Sequence, residues 1–205
     1  MKIKSLHYFS GLTISIFVGI HLFNHLCSIF GIEQHMETMN VLRKIYRHMI
    51  CESILLLAVI IQIISGLSLF RSLRKTTFSN FEKLQILSGL YLAFFLTIHV
   101  SAVMIGRFYL HLDTNFYFGA AGINTFPANI FFIPYYTFAI LSFFAHIAAI
   151  HYKKMQIHFL YLSPAKQSKG ILIIGALTTI LVFYGFTNHF QDIRLPKEYN
   201  ILVGK

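Results

Sequence analysis

The chain has 205 residues, 56% of them hydrophobic and only 12% charged, with a formal net charge of +10. So few polar side chains cannot cover a water-facing globule of this length, which excludes an ordinary soluble domain. The Lys and Arg residues gather in short runs between apolar stretches, a topology signal and not a nucleic-acid footprint, and no RNA- or DNA-binding motif is present.

An all-α integral membrane protein follows, organised as a single transmembrane domain over residues 1–205. A spanning helix needs about 20 apolar residues, because the hydrocarbon core is about 30 Å thick and each residue rises about 1.5 Å. Five segments meet or approach this: Phe9 to Phe30, Met49 to Phe70, Leu84 to Ile105, Ile130 to Ile150, and Ile171 to Phe186. The first begins after Lys2 and Lys4, yet it is not expected to be a cleaved signal: no alanine precedes Ala58, so an A-x-A site is missing. Cys27 and Cys51 lie near the ends of the first two spans and read as free thiols, and without C-x-x-C-H covalent c-type haem attachment is excluded.

Between spans one and two, Gly31 to His48 predicts a short interfacial helix, with Met36, Met39, Leu42 and Tyr46 at helical spacing. Glu52, Arg47 and His48 begin the second span as an interfacial anchor or as a polar rim for a cofactor. Arg107 to Pro127, rich in aromatics and glycine, predicts a cap over the bundle. Pro134 falls near the start of span four, where a missing N–H costs little.

The basic residues divide into Lys2, Lys4, Arg71, Arg74, Lys75, Lys83, Lys153, Lys154, Lys166 and Lys169 on one side, and Arg43, Lys44, Arg47, Arg107, Arg194, Lys197 and Lys205 on the other. Ten against seven predicts a cytoplasmic N-terminus.

Aligning the chain on itself exposes a two-fold repeat in the first four spans. Leu6-His-Tyr-Phe-Ser-Gly-Leu matches Leu84-Gln-Ile-Leu-Ser-Gly-Leu, and a histidine follows each glycine by ten residues, His21 and His99. Eleven residues at 100° each return to within about 20° of eclipse, so Ser10 shares a helix face with His21, and Ser88 with His99. Odd-numbered spans run in one direction, which puts His21 and His99 at equal depth. Spans two and four place Gln62 opposite His146 in the other half of the bilayer.

Ionisable side chains within spans face the bundle interior and serve a pathway or cofactor. Two neutral imidazoles at one depth on facing helices are what axial ligation of haem iron requires. His21 and His99 are therefore the candidate metal ligands of a haem b. His146 is a candidate ligand of a second haem, whose partner position holds the amide of Gln62. His25, one turn beyond His21, competes as ligand, but the repeat places Val103 at the corresponding position; otherwise it would meet a propionate or a quinone.

These residues resemble the cytochrome b membrane subunit of succinate dehydrogenases and fumarate reductases, in its five-helix form with two haems in one polypeptide. The likeness covers about the first 155 residues in element order and spacing. It rests on His7-x-x-Ser10-Gly11, His21-Leu-Phe-Asn-His25, Leu84-Gln-x-x-Ser88-Gly89 before His99, and the span around His146.

The resemblance implies an anchor in a bacterial or mitochondrial inner membrane that docks iron-sulfur and flavoprotein subunits on the cytoplasmic side and exchanges electrons with quinone through haem b. The outer ligands fall on His21 and His99, and the fourth-helix inner ligand on His146. Gln62 stands where the family has histidine, so an inner haem would be five-coordinate, unusually ligated or absent. Tyr8 replaces the arginine of H-R-x-S-G, a departure from the quinone-site pattern. No dinucleotide fingerprint or cysteine cluster motif is present, so the chain is not expected to be catalytic alone. The alternatives are a stand-alone membrane haem protein and a haem-free scaffold or channel.

Overall fold

A computed structural model describes residues 3–73 and 79–204. Four of the charges used to orient the chain, Lys2, Arg74, Lys75 and Lys205, lie outside them. Seven α-helices follow in order: α1 (Ile3–Leu26), α2 (Ile32–Tyr46), α3 (Met49–Leu73), α4 (Asn80–Phe108), α5 (Phe116–Asn124), α6 (Asn129–Lys154) and α7 (Pro164–Phe186). 3-10 segments cover Cys27–Phe30 and Lys197–Val203.

Five of these helices are long and apolar enough to cross a membrane: α1 with its 3-10 extension, α3, α4, α6 and α7. Their apolar faces point outward. Along α3, Ile54, Leu57, Ile60 and Ile64 are each more than half exposed, whereas Ser10, Ser65, Ser88, Ser168, Thr178 and Thr179 are buried. Hydrocarbon outside and hydroxyls inside invert the soluble arrangement, and a lipid solvent explains it. The protein is an all-α integral membrane protein.

Three spans start well before the hydropathy pattern predicts: α1 is already helical at Ile3, ahead of Phe9, and the starts of α4 and α7 are set by capping. Ser79 accepts from the Glu82 N–H while the Glu82 carboxylate accepts from the Ser79 N–H, a capping box that starts α4 at Asn80 instead of Leu84. Ser163 caps α7 with Pro164 in its first turn, seven residues before Ile171. At 23 residues α7 reaches about 35 Å, enough for a full crossing.

The spans pack as a closed circuit: α1 on α3, α3 on α4, α4 on α6, α6 on α7, and α7 back on α1. The fifth span thus fills the seam between the first and the fourth. At the N-terminal end, Lys154 lies over the Tyr8 ring at 4.4 Å, so the start of α1 and the end of α6 share one side.

The opposite end is roofed. α2 is amphipathic, burying His35 and Met39, and the Arg107–Pro127 stretch folds over the bundle around α5, whose Phe116, Ala120 and Ala121 are wholly buried. Phe116 joins Leu22, Ile140, Val182 and Phe186 in one apolar cluster. The chain end completes the roof: Tyr199 packs on Leu112 and Ala121 and donates to the Asp113 carbonyl at 2.9 Å. Arg43 pairs with Asp113 at 2.8 Å, Arg47 donates to Thr114 at 2.7 Å, and Arg107 pairs with Glu52. Cys27 is buried, Cys51 half-buried, and both are free thiols.

Candidate functional site: two polar layers in the bundle

The repeat is visible as two matching niches near the N-terminal side. In one, Ser10 of α1 donates to Gln62 Oε1 of α3 at 2.7 Å. In the other, His146 Nδ1 of α6 donates to the Gln85 carbonyl at 3.0 Å, with the Ser88 hydroxyl of α4 at 3.3 Å. The glycine after each serine makes the space. A Cβ on Gly11 would sit 3.2 Å from the Gln62 amide, and one on Gly89 would sit 3.1 Å from His146 Cε1. Gln62 and His146 are therefore equivalent positions in equivalent half-bundles.

Their chemistry differs. Gln62 is consumed at both ends, because its Nε2 also donates to His7 Nε2 at 3.3 Å, and His7 Nδ1 donates onward to Ser65 Oγ at 2.9 Å. His146 is held through Nδ1 alone, which leaves Nε2 as the lone-pair nitrogen, the tautomer a metal ligand needs. The serines thus serve the residue across the helix pair. Ser10 and Ser88 lie eleven residues, about 16 Å of helix rise, from the histidines that share their faces.

The second layer lies toward the roofed end. His21 and His99 face each other with ring centroids 6.2 Å apart. Each stacks on the phenylalanine one turn before it, Phe17 on His21 (5.6 Å, 20° between planes) and Phe95 on His99 (5.0 Å, 13°). The repeat therefore extends to the ring that orients each imidazole.

Beside this pair runs a chain of imidazoles. His25 Nε2 is 2.9 Å from His21 Nε2, and His25 Nδ1 is 3.3 Å from His35 Nε2, which also accepts from Asn24 Nδ2 at 3.2 Å. With both neighbours donating to His35 Nε2, the chain is consistent with a neutral His35. Burial, and then the Arg43 guanidinium, lower its pKa from 6.5 to about 4. Phe186 and Phe116 close over these rings, Phe186 edge-on to His25 at 4.8 Å and to His35 at 5.5 Å.

His35 escaped the sequence reading although a signal was present. With Met39, Leu42 and Tyr46 it forms an i, i+4, i+7, i+11 stripe on α2, and it is 1% exposed. Glu52, by contrast, is taken up by Arg107.

A single iron held between two imidazoles, each with an Fe–N bond of about 2.0 Å and a ring centre roughly 1.1 Å further back, would separate the centroids by about 6.2 Å. The His21–His99 separation fits that. The two hydrogen-bonded imidazole pairs beside it sit closer, His21 and His25 at 4.2 Å and His25 and His35 at 5.6 Å between centroids. Among the described residues no group of three or more His, Cys, Asp or Glu side chains is placed to hold a metal ion. Two facing imidazoles suit an iron whose other four ligands come from a macrocycle. One residue must yield: His21 Nε2, the nitrogen that points to His25, has to be released for ligation.

No protein-family model, no curated protein and no solved structure matches the chain.

Proposed function

We propose that this protein is a haem b-binding membrane subunit that carries electrons between membrane quinone and soluble iron-sulfur and flavoprotein partners of the succinate dehydrogenase or fumarate reductase type. The observation that carries the reading is the 6.2 Å separation of His21 and His99 on repeat-related helices. Haem b, when bound, supplies a one-electron centre in a low-dielectric interior. His21 and His99 hold it, Phe17 and Phe95 fix the planes of those rings, and the apolar roof keeps water away.

One haem is assigned to this pair. Gln62, tied to Ser10 and His7, argues against a second bis-histidine site at His146. The basic bias of the N-terminal side supports a cytoplasmic orientation for it in a bacterium, or the equivalent orientation in a mitochondrion, with the soluble partners docking there.

The test is a reduced-minus-oxidised visible spectrum of the purified chain. b-type bands are expected in the wild type, lost in His21→Ala and in His99→Ala, and retained in His25→Ala. An unchanged low-spin spectrum in either ligand variant would overturn the assignment. A second reading, a haem-free bundle, is favoured by the 2.9 Å His21–His25 contact; it predicts no visible bands. Bands without any co-purifying flavoprotein or iron-sulfur protein would instead identify a stand-alone haem protein.

A further inference from the structure

The connection between α6 and α7, nine residues from Met155 to Ser163, presents a run of exposed apolar side chains on the N-terminal side. Ile157, Phe159 and Leu160 are exposed, and Tyr161 is fully so at 100%. Such residues in a connecting segment call for an explanation, since loops between elements are normally polar.

This segment is a built structure. Phe159 and Leu162 exchange backbone hydrogen bonds at 3.3 and 2.9 Å, with Leu160 and Tyr161 at the tip in the left-handed region (φ 50° and 59°). Two non-glycine residues in succession at positive φ are costly and persist only where the surroundings hold them. Gln167 does the holding: its Nε2 donates to the carbonyls of Ile157 at 3.0 Å and Leu162 at 2.8 Å, while its Oε1 accepts from His151 Nε2 at 2.8 Å. The tongue is thereby tied to the last turn of α6 and the first turn of α7, at the level where both helices leave the hydrocarbon.

Charge points to its occupant. Lys153, Lys154, Lys166 and Lys169 flank the tongue and are exposed; Lys153 pairs with Glu82 of α4 at 3.7 Å and Lys154 lies over the Tyr8 ring, and the chain has no Asp or Glu between Asp113 and Asp192. Apolar and aromatic side chains between lysines, at headgroup depth, form the pattern that settles into an anionic membrane interface.

We propose that the Met155–Ser163 tongue is an interfacial anchor whose Phe159, Leu160 and Tyr161 insert among anionic phospholipids of the leaflet on the N-terminal side, with Lys166 and Lys169 on their headgroups. This does not depend on haem binding.

The wild-type chain has no tryptophan, so Tyr161→Trp gives a single reporter in the full-length protein. It is reconstituted in vesicles of phosphatidylcholine with and without phosphatidylglycerol. With phosphatidylglycerol, a blue-shifted emission, quenching by brominated acyl chains and shielding from acrylamide are expected. Adding Lys166→Gln and Lys169→Gln should abolish the gain that phosphatidylglycerol confers. Emission of a water-exposed indole, open to acrylamide in both vesicles, overturns the proposal and is the result for a tongue reserved for a soluble protein. Persistence of the phosphatidylglycerol effect in the lysine variants overturns the headgroup assignment. Leu160→Trp provides the same readout should the Tyr161 variant not accumulate.

Discussion

Gln62 and His146 occupy twin niches, each beside a Ser-Gly step of the neighbouring helix, so exchanging one side-chain type tests the haem count directly. Gln62→His is expected to raise the haem content per polypeptide from one towards two, measured by pyridine haemochrome against protein concentration. A count that stays at one would mean that the inner layer is not a haem niche. The glycines beside them give a stability test. Gly89→Ala presses a methyl against His146 Cε1 at 3.1 Å, and packing strain of this kind costs about 1–3 kcal/mol. Gly19→Ala, whose Cβ meets nothing within 4 Å, should instead gain up to about 1 kcal/mol from helix propensity. Thermal unfolding in detergent should separate the two in sign.

At the scale of the element, α2 is the helix whose seating depends on a proton. His35 is neutral in the fold, its pKa lowered to about 4, whereas the unfolded chain takes up a proton near 6.5. The unfolded state therefore binds more protons between those values. The stability His35 allows is complete above about pH 6.5 and drains away as pH falls towards 4, a loss of about 3 kcal/mol. Limited proteolysis of the α2 segment across that range should show it loosening in acid, and His35→Met should flatten this dependence.

Element ends also show what a sequence discloses. The span cores were legible because hydropathy alone defines them, but the starts of α4 and α7 were not, since their first turns are polar and stand outside the hydrocarbon. Ser79-x-x-Glu82 and Ser163-Pro164 carried those starts in capping chemistry. The equivalence of Gln62 and His146 could be read from the repeat. His35 could not be, because α2 has no counterpart in the other half, and only its place in the α2 stripe marked it.

For the molecule as a whole, the roof over the histidine layer is assembled from distant stretches: α2, α5 and the Lys197–Val203 turn. Tyr199 joins the last of these to the first two through Asp113 and its arginines. It is 2% exposed, and Tyr199→Ala should cost about 3 kcal/mol, in the range for deleting a buried aromatic side chain. A drop in the melting temperature, with greater protease access to residues 107–127, is the expected signature. Nothing in the sequence indicated this clasp, because a contact across 86 residues leaves no local pattern.

The placing of α7 between α1 and α6 has a consequence for biogenesis. The duplicated halves meet along α3 and α4, while their other seam is sealed by the fifth crossing, the last to leave the ribosome. Until that helix arrives, the imidazole layer stands open sideways to the lipid. Under the proposed function, translation order would provide a window for loading the cofactor from the side before the fifth crossing closes that seam.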